Sequence, residues 1–321
     1  MAEISFIIPC YNSEDFMSPC LESLSRQTLT DVEFIFVDDG STDGTREIIE
    51  NFMRKEPRAK LVVQENKGLK DARLTGLRNA TAKFVAFLDS DDFIDITAAE
   101  EALGIFESDS AIDAVLYTFS YVKNGVVSEF NYSTIFPLSG MDVLRNTIPS
   151  WRISTMGIYR REHAWKAYCS VTFCAINSDE VATRLIFESC RSVSKMKSQY
   201  FYVQRNNSIS KKPSIKYITR LESASWLRDY SVSKVTNNVS RKDAETHFIN
   251  ELCEIIFKFR SAKKLMEPEA NIDWVRGISR HRKRVLRNFI SYAISYPRLC
   301  FSDIKLLKKT IFIIVWPALN F

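Results

Sequence analysis

Asp89-Ser90-Asp91-Asp92 puts three carboxylates directly behind the apolar run Phe84-Val85-Ala86-Phe87-Leu88. Carboxylates crowded at a buried strand end repel one another and lose hydration, a cost that a bound cation removes. Donors that are all oxygen suit Mg2+ or Mn2+, which keep open positions for phosphate oxygens. A solvated acidic loop is the plainer reading of any single Asp-x-Asp, and the apolar run ahead of this one weighs against it. A second acidic turn, Asp38-Asp39-Gly40-Ser41-Thr42-Asp43-Gly44, follows the apolar run ending in Val37. Gly40 permits the turn, and Ser41 or Asp43 suits the cap of the next helix, so Asp43 is expected to be structural. Asp38 and Asp39 have no capping duty, and one of them can accept hydrogen bonds from a nucleobase. Arg73 falls one turn into the helix expected after Asn66-Lys67-Gly68. A guanidinium there can bind a diphosphate or pair with an aspartate. Asn177-Ser178-Asp179-Glu180 precedes another helix, and by spacing alone Asp179 is an acid favoured by the helix dipole.

These groups need elements to hold them. Ile4 to Ile8 reads as a buried strand closed by Pro9, and Asn12 or Ser13 can cap a helix carrying Phe16, Met17, Leu21 and Leu24 on one face. Strands are expected over 33–37, 60–63 and 83–88, alternating with helices from about Thr42 to Phe52 and from Leu69 to Ala80. That alternation implies an α/β fold with a mostly parallel sheet covered on both faces. Ligands of such sheets sit outside the carboxyl ends of the strands, where Pro9-Cys10-Tyr11-Asn12, Asp38-Asp39-Gly40, Gln64-Glu65-Asn66 and Asp89–Asp92 gather. Residues 114–204 mix strands, a turn at Lys123-Asn124-Gly125, and helices from about Met141 and after Asn177. Beyond Lys211-Lys212-Pro213 the chain reads as basic amphipathic helices.

Composition excludes several classes. With 45% hydrophobic and 26% charged residues, the 321-residue chain has the profile of a soluble protein with a real core. Its seven cysteines are scattered with no Cys-x-x-Cys, against a zinc site or a disulfide framework and in favour of a reducing compartment. His163, His247 and His281 lack metal-ligand spacing, and no dinucleotide or P-loop glycine motif is present. No leader opens the sequence, and the apolar end from Thr310 to Phe321 is short of the ~20 residues of a membrane span. The expected location is therefore cytoplasmic, with a possible peripheral contact at the inner face of the cell membrane. The net charge of +5 conceals a split: residues 211–321 hold 22 Lys and Arg against 10 Asp and Glu. This basic third, with Arg280, Arg282, Lys283, Arg284 and Arg287, fits either an anionic membrane surface or a helical appendage or dimer contact. Nucleic acid is not expected, since no reading module accompanies the charge.

Taken in order, Ser5–Asn12, Val37–Asp43, Asn66-Lys67-Gly68 with Ala72-Arg73, and Phe87–Asp92 resemble the inverting family 2 glycosyltransferases of the GT-A fold. The likeness is dense over residues 1–95. It continues more thinly through Ile158–Glu162, Asn177–Glu180 and Tyr202–Ile209, of the bacterial surface-polysaccharide type. The resemblance implies a Rossmann-like, nucleotide-sugar-binding half over 1–112, an acceptor-binding half over 113–212 and a basic helical region over 213–321. It implies a nucleoside diphosphate sugar donor, most often a UDP-sugar, and a glycan or lipid-linked acceptor. Asp39 would read the base, with Pro9, Tyr11 and Asn12 lining base and ribose. Arg73, Asp89 and Ser90 would belong to the donor site, and Asp91 would hold the divalent ion. Asp179 matches the position of the catalytic base, with Glu180 as the alternative. Ser178 departs from the family's usual acidic pair, so a catalytically inactive sugar-nucleotide-binding protein is the competing reading.

Overall fold

The computed structural model describes residues 2–130, 134–148, 152–173, 175–205, 219–234, 243–244, 246–251 and 253–255. β1 (Ile4–Cys10) is buried along its whole length, as a strand covered on both faces must be. β2 (Val32–Asp38), β3 (Ala59–Val63) and β4 (Phe84–Phe87) join it in the parallel order β3-β2-β1-β4. Their registers bring Cys10 opposite Asp38 and Ile7 opposite Phe87, so the acidic turns open along one edge.

Beyond β4 the sheet continues through β8 (Gly157–Arg160), β6 (Ile112–Lys123), β9 (Ser192–Val203) and β5 (Phe93–Ile94). β8 is antiparallel to both neighbours, while β6 and β9 run parallel. β7 (Val126–Glu129) pairs back on β6 through Asn124 and Gly125, both at positive φ, the turn expected there. β6 thus belongs to the same sheet as β1–β4, and the compact unit built on it takes in 1–147, 151–174 and 178–206. The proposed halves at 112/113 lie inside that one unit.

The helices differ from expectation mainly at their starts. α1 (Ser18–Ser25) begins six residues after Asn12, with Pro19 in its first turn. Residues 12–14 are held in a loop instead: Ser13 N donates to Thr45 Oγ1 at 2.6 Å and Glu14 N to Asp43 Oδ2 at 3.2 Å. α2 (Thr45–Met53) starts later than Thr42 because Asp43 Oδ1 accepts from both the amide and the hydroxyl of Thr45. Asp43 is thus bonded within the fold, although the cap position itself falls on Gly44 rather than on Ser41 or Asp43. α3 (Leu69–Asn79) lies so close on β1 that a Cβ on Gly76 would stand 2.2 Å from Ile7 Cγ2. α4 (Ala98–Ser108), α5 (Gly140–Asn146), α6 (Arg161–Ser170) and α7 (Ser178–Ile186) complete the unit.

A second unit comprises 148–150, 175–177 and 207–321. Its described part includes α8 (Arg220–Lys234), whose Arg220 pairs with Glu251 and Glu254, and where Trp226 stacks on Tyr230. No helix among the described residues is long and apolar enough to cross a membrane. The basic and apolar tail assigned to a membrane surface lies outside the described residues.

Candidate active site

Asp39 directly follows β2, is almost entirely buried, and forms no ion pair among the described residues. Its Oδ1 accepts from Gln64 Nε2 at 2.7 Å and Lys67 N at 2.8 Å, and its Oδ2 from Gly68 N at 2.8 Å. The carboxylate therefore fastens the β2 end to the N-terminus of α3. Gly40 beside it is at φ +76°, and a Cβ there would lie 2.9 Å from Asn66 N, which restricts the position to glycine. Asp38 is settled differently: fully buried, it accepts from Ser41 N and from the guanidinium of Arg46 at 2.9 Å. Of the two acids, Asp38 is fully committed to the fold.

Three of the residues expected at the donor have other duties in this structure. Asn12, at φ +49°, uses its side chain to accept from Thr42 N at 2.8 Å and so ties the loops after β1 and β2 together. Ser90 shares a 2.8 Å hydroxyl contact with Ser13, both buried. Pro9 is buried within β1, in register with Val37. These contacts fix the loops that surround the site. Tyr11, by contrast, stands 42% exposed at the strand end, presenting an aromatic ring for stacking.

Arg73 lies at the centre. Gly76, one turn along, sets α3 close enough for its guanidinium to reach the β4 end. The side chain is 4% exposed; Nη2 donates to Asp89 Oδ1 at 2.7 Å, and Nη1 to Asp179 Oδ2 at 3.4 Å and to the Tyr168 hydroxyl at 3.3 Å. The guanidinium sits over the Phe87 ring. Arg73 thus pairs with aspartates, and with two at once. Tyr168 was not foreseen; nothing in the sequence distinguishes it from a core tyrosine of α6.

Asp179 stands in the first turn of α7. Burial pushes its carboxyl up to about 6, with Arg73 opposing and the charges of Glu180 and Asp89 adding. A carboxylate poised there titrates just below neutrality, where a general base is useful. Glu180 is directed elsewhere, accepting from Arg184 Nη1 at 3.2 Å on the following turn. The structure thereby separates the two acids: Asp179 joins the Arg73 network and Glu180 does not.

The acidic strand end also divides. Asp92 is fully buried and accepts from the Tyr200 hydroxyl at 2.7 Å and Val203 N at 2.8 Å, joining the β4 end to β9. Burial, with Asp91 and Asp89 adding, holds its carboxyl well above the usual range. Asp91 is partly open, and burial and the charge of Asp89 push its carboxyl up, while Arg205 opposes. Arg205, just past β9, donates from Nη2 to Asp91 Oδ2 and lies 3.5 Å from the Phe16 ring centroid. Its position in the Tyr202–Ile209 segment was the one signal available for it.

The donor set fits a divalent ion of the Mg2+ type. Asp89 and Asp91 offer carboxylate oxygens at a strand end where burial and mutual repulsion already push the Asp91 carboxyl up. Among the described residues no group of three or more His, Cys, Asp or Glu side chains could hold a metal by itself. Mg2+ sites commonly take only one or two carboxylates, and substrate phosphates and water supply the rest.

A parallel sheet with acidic strand ends, continued by mixed strands and flanked by a helix that carries a largely buried carboxylate, has the architecture of the GT-A fold. The sequence pattern of "Glycosyl transferase family 2" matches residues 5–168, and the chain belongs to that family. It is 32% identical over 218 residues to the uncharacterized glycosyltransferase YibD of Escherichia coli K12, covering 65% of this chain and 63% of that one. It is 42% identical over 91 residues to EpsJ of Bacillus subtilis, 28% of this chain and 26% of the relative. Chondroitin synthase of E. coli is 38% identical over 115 residues, 36% of this chain and 17% of the synthase. The chain thus spans less than two thirds of each of these relatives. Among solved structures, S. aureus TarS 1–349 in complex with UDP-GlcNAc superposes with a TM-score of 0.65 at 19% identity, over 99% of this chain and 93% of that one.

Proposed function

We propose that the protein transfers a sugar from a UDP-sugar to a hydroxyl of a glycan or lipid-linked acceptor, with inversion at the anomeric carbon. The chain of contacts Asp89–Arg73–Asp179 carries this reading, because one buried guanidinium spans the acidic strand end and a carboxylate tuned to about 6. The complex of S. aureus TarS with UDP-GlcNAc supports the choice of donor, and the likeness to chondroitin synthase supports a polysaccharide setting.

Tyr11 stacks on the base at the β1 end, and Asp39 receives the base edge on Oδ2, the oxygen that accepts a single backbone donor. Asp89, oriented by Arg73, contacts the nucleotide portion. Asp91, with Asp89 beside it, holds a Mn2+ or Mg2+ ion, which when bound neutralises the charge of the departing diphosphate. Asp179 accepts the proton of the acceptor hydroxyl as the oxygen attacks the anomeric carbon from the face opposite the leaving group. A single displacement results, and no covalent enzyme intermediate forms.

The test is release of UDP or GDP from a panel of nucleotide sugars with Mn2+, using Asp91→Asn and Asp179→Asn as controls. Metal-dependent turnover that both substitutions reduce by about two orders of magnitude is expected. Absence of turnover with every donor and a range of hydroxyl acceptors would overturn the proposal, as would retention of configuration in the product by NMR.

A further inference from the structure

Arg205 has no role in the transfer scheme, yet it places a fixed positive charge on the carboxylate assigned to the metal. Three observations bear on it. Its guanidinium donates to Asp91 Oδ2, on a carboxylate that, like Asp89, is partly open. The same guanidinium lies against the Phe16 ring, a cation–π seat on the loop between β1 and α1. And Arg205 follows directly on β9, whose end is fastened by Gln204 N to Val122 O at 2.8 Å and by Val203 N to Asp92 Oδ1 at 2.8 Å. The side chain is thus delivered from an anchored strand end, resting on an aromatic face, to the point of greatest negative charge.

We infer that Arg205 is a built-in counter-ion of the acidic strand end, and that a divalent cation binds Asp91 by displacing it. The inference rests on the assignment of Asp91 to the metal. A guanidinium docked on Oδ2 takes one lone-pair direction of that oxygen and repels a divalent ion brought to the same carboxylate, so docking of Arg205 and coordination of the ion compete. The physical benefit lies in the ion-free protein. Asp91 and Asp89 are partly desolvated and adjacent, and an unpaired charge there is costly. Arg205 neutralises the strand end until an ion arrives. The consequence is that ion binding in the absence of nucleotide is weakened by the free energy of undocking Arg205. A guanidinium cannot be discharged near neutral pH, so the competition does not vanish on mild alkalinisation.

The experiment is a titration of the full-length protein with Mn2+, followed by the loss of the free-ion EPR signal, with and without UDP. Arg205→Gln is expected to bind Mn2+ at least tenfold more tightly than wild type without UDP. Phe16→Leu, which removes the aromatic seat and keeps Arg205, is expected to tighten binding by a smaller factor. Arg205→Lys is expected to return the affinity toward wild type, since it restores a cation on a shorter reach. Unchanged or weaker Mn2+ binding by folded Arg205→Gln, with UDP-dependent Mn2+ binding still abolished by Asp91→Asn, would overturn this inference alone. If Asp91→Asn bound Mn2+ as wild type does, with and without UDP, the metal assignment would fail and the inference with it.

Discussion

Replacing Arg73 by methionine keeps much of the side-chain volume and removes the charge that faces Asp179. Nη1 lies 3.4 Å from Asp179 Oδ2. At an effective dielectric constant of about 20, that separation corresponds to about 5 kcal/mol, or roughly 3.6 pH units on the carboxyl. This is a ceiling: Arg73 is shared with Asp89 at 2.7 Å, and water would enter the vacated space. An upward movement of about one to two units from the wild-type value of about 6 is the working expectation. The base must be deprotonated to act, so activity rises with pH through this value. The acid limb of kcat/KM should therefore shift from near pH 6 to about pH 7–8. Near pH 7 the deprotonated fraction falls about two- to tenfold, and it is regained above about pH 9. The assay is UDP release across that range with saturating Mg2+. A rate deficit that is flat with pH, or a limb still near 6, would refute the coupling. Partial recovery at high pH distinguishes a detuned base from a misfolded variant.

Asp179 carries a stability cost with a definite sign. Its folded-state value of about 6 lies above the 3.8 of a free aspartate, so the folded state holds the proton more tightly. Stability from this group is full below about pH 4 and is lost as pH rises through about 6, by up to roughly 3 kcal/mol. Asp179→Asn should accordingly resist urea better than wild type near pH 7.5 and lose that advantage near pH 4. Glu180→Gln, which only loosens the pair with Arg184, should change kcat less than about threefold, while Asp179→Asn reduces it by about a hundredfold or more. Gly76→Ala should cost about 1–3 kcal/mol in urea unfolding, because the new Cβ meets Ile7 Cγ2. Adding Ile7→Ala should cost less in that background than in wild type.

The first four strands were legible because each is a short apolar run bounded by turn residues, and the buried β1 and β4 leave no second way to read them. The acidic ends of β2 and β4 were legible for the same reason: a carboxylate directly behind a buried run has to be accounted for. What each carboxylate does was not legible. Asp38, Asp39, Asp91 and Asp92 look alike in sequence, and only Arg46, the amides of Lys67 and Gly68, Arg205 and Tyr200 tell them apart. Three of those partners lie in sequence within about thirty residues, but Tyr200 and Arg205 lie more than a hundred away. The start of α1 was misplaced because Asn12 and Ser13, good helix caps by type, bond across to the loop after β2 instead. Asp179 and Glu180 are adjacent on one helix turn, and their separate fates follow from Arg73 and Arg184, which pattern alone does not pair with them.

The anchoring of Asp39 by Lys67 N and Gly68 N has a wider consequence. The amino end of a helix is the usual resting place for a phosphate in sheets of this kind, since its free amides and dipole offer positive potential without any side chain. Here the two amides just ahead of α3, those of Lys67 and Gly68, are already taken from within by a carboxylate of the neighbouring strand end. An anion approaching the start of α3 would meet that fixed carboxylate, whose charge opposes its own. A loop committed to its own acid in this way makes an added counter-charge, rather than that loop's backbone, the partner an anionic ligand would need.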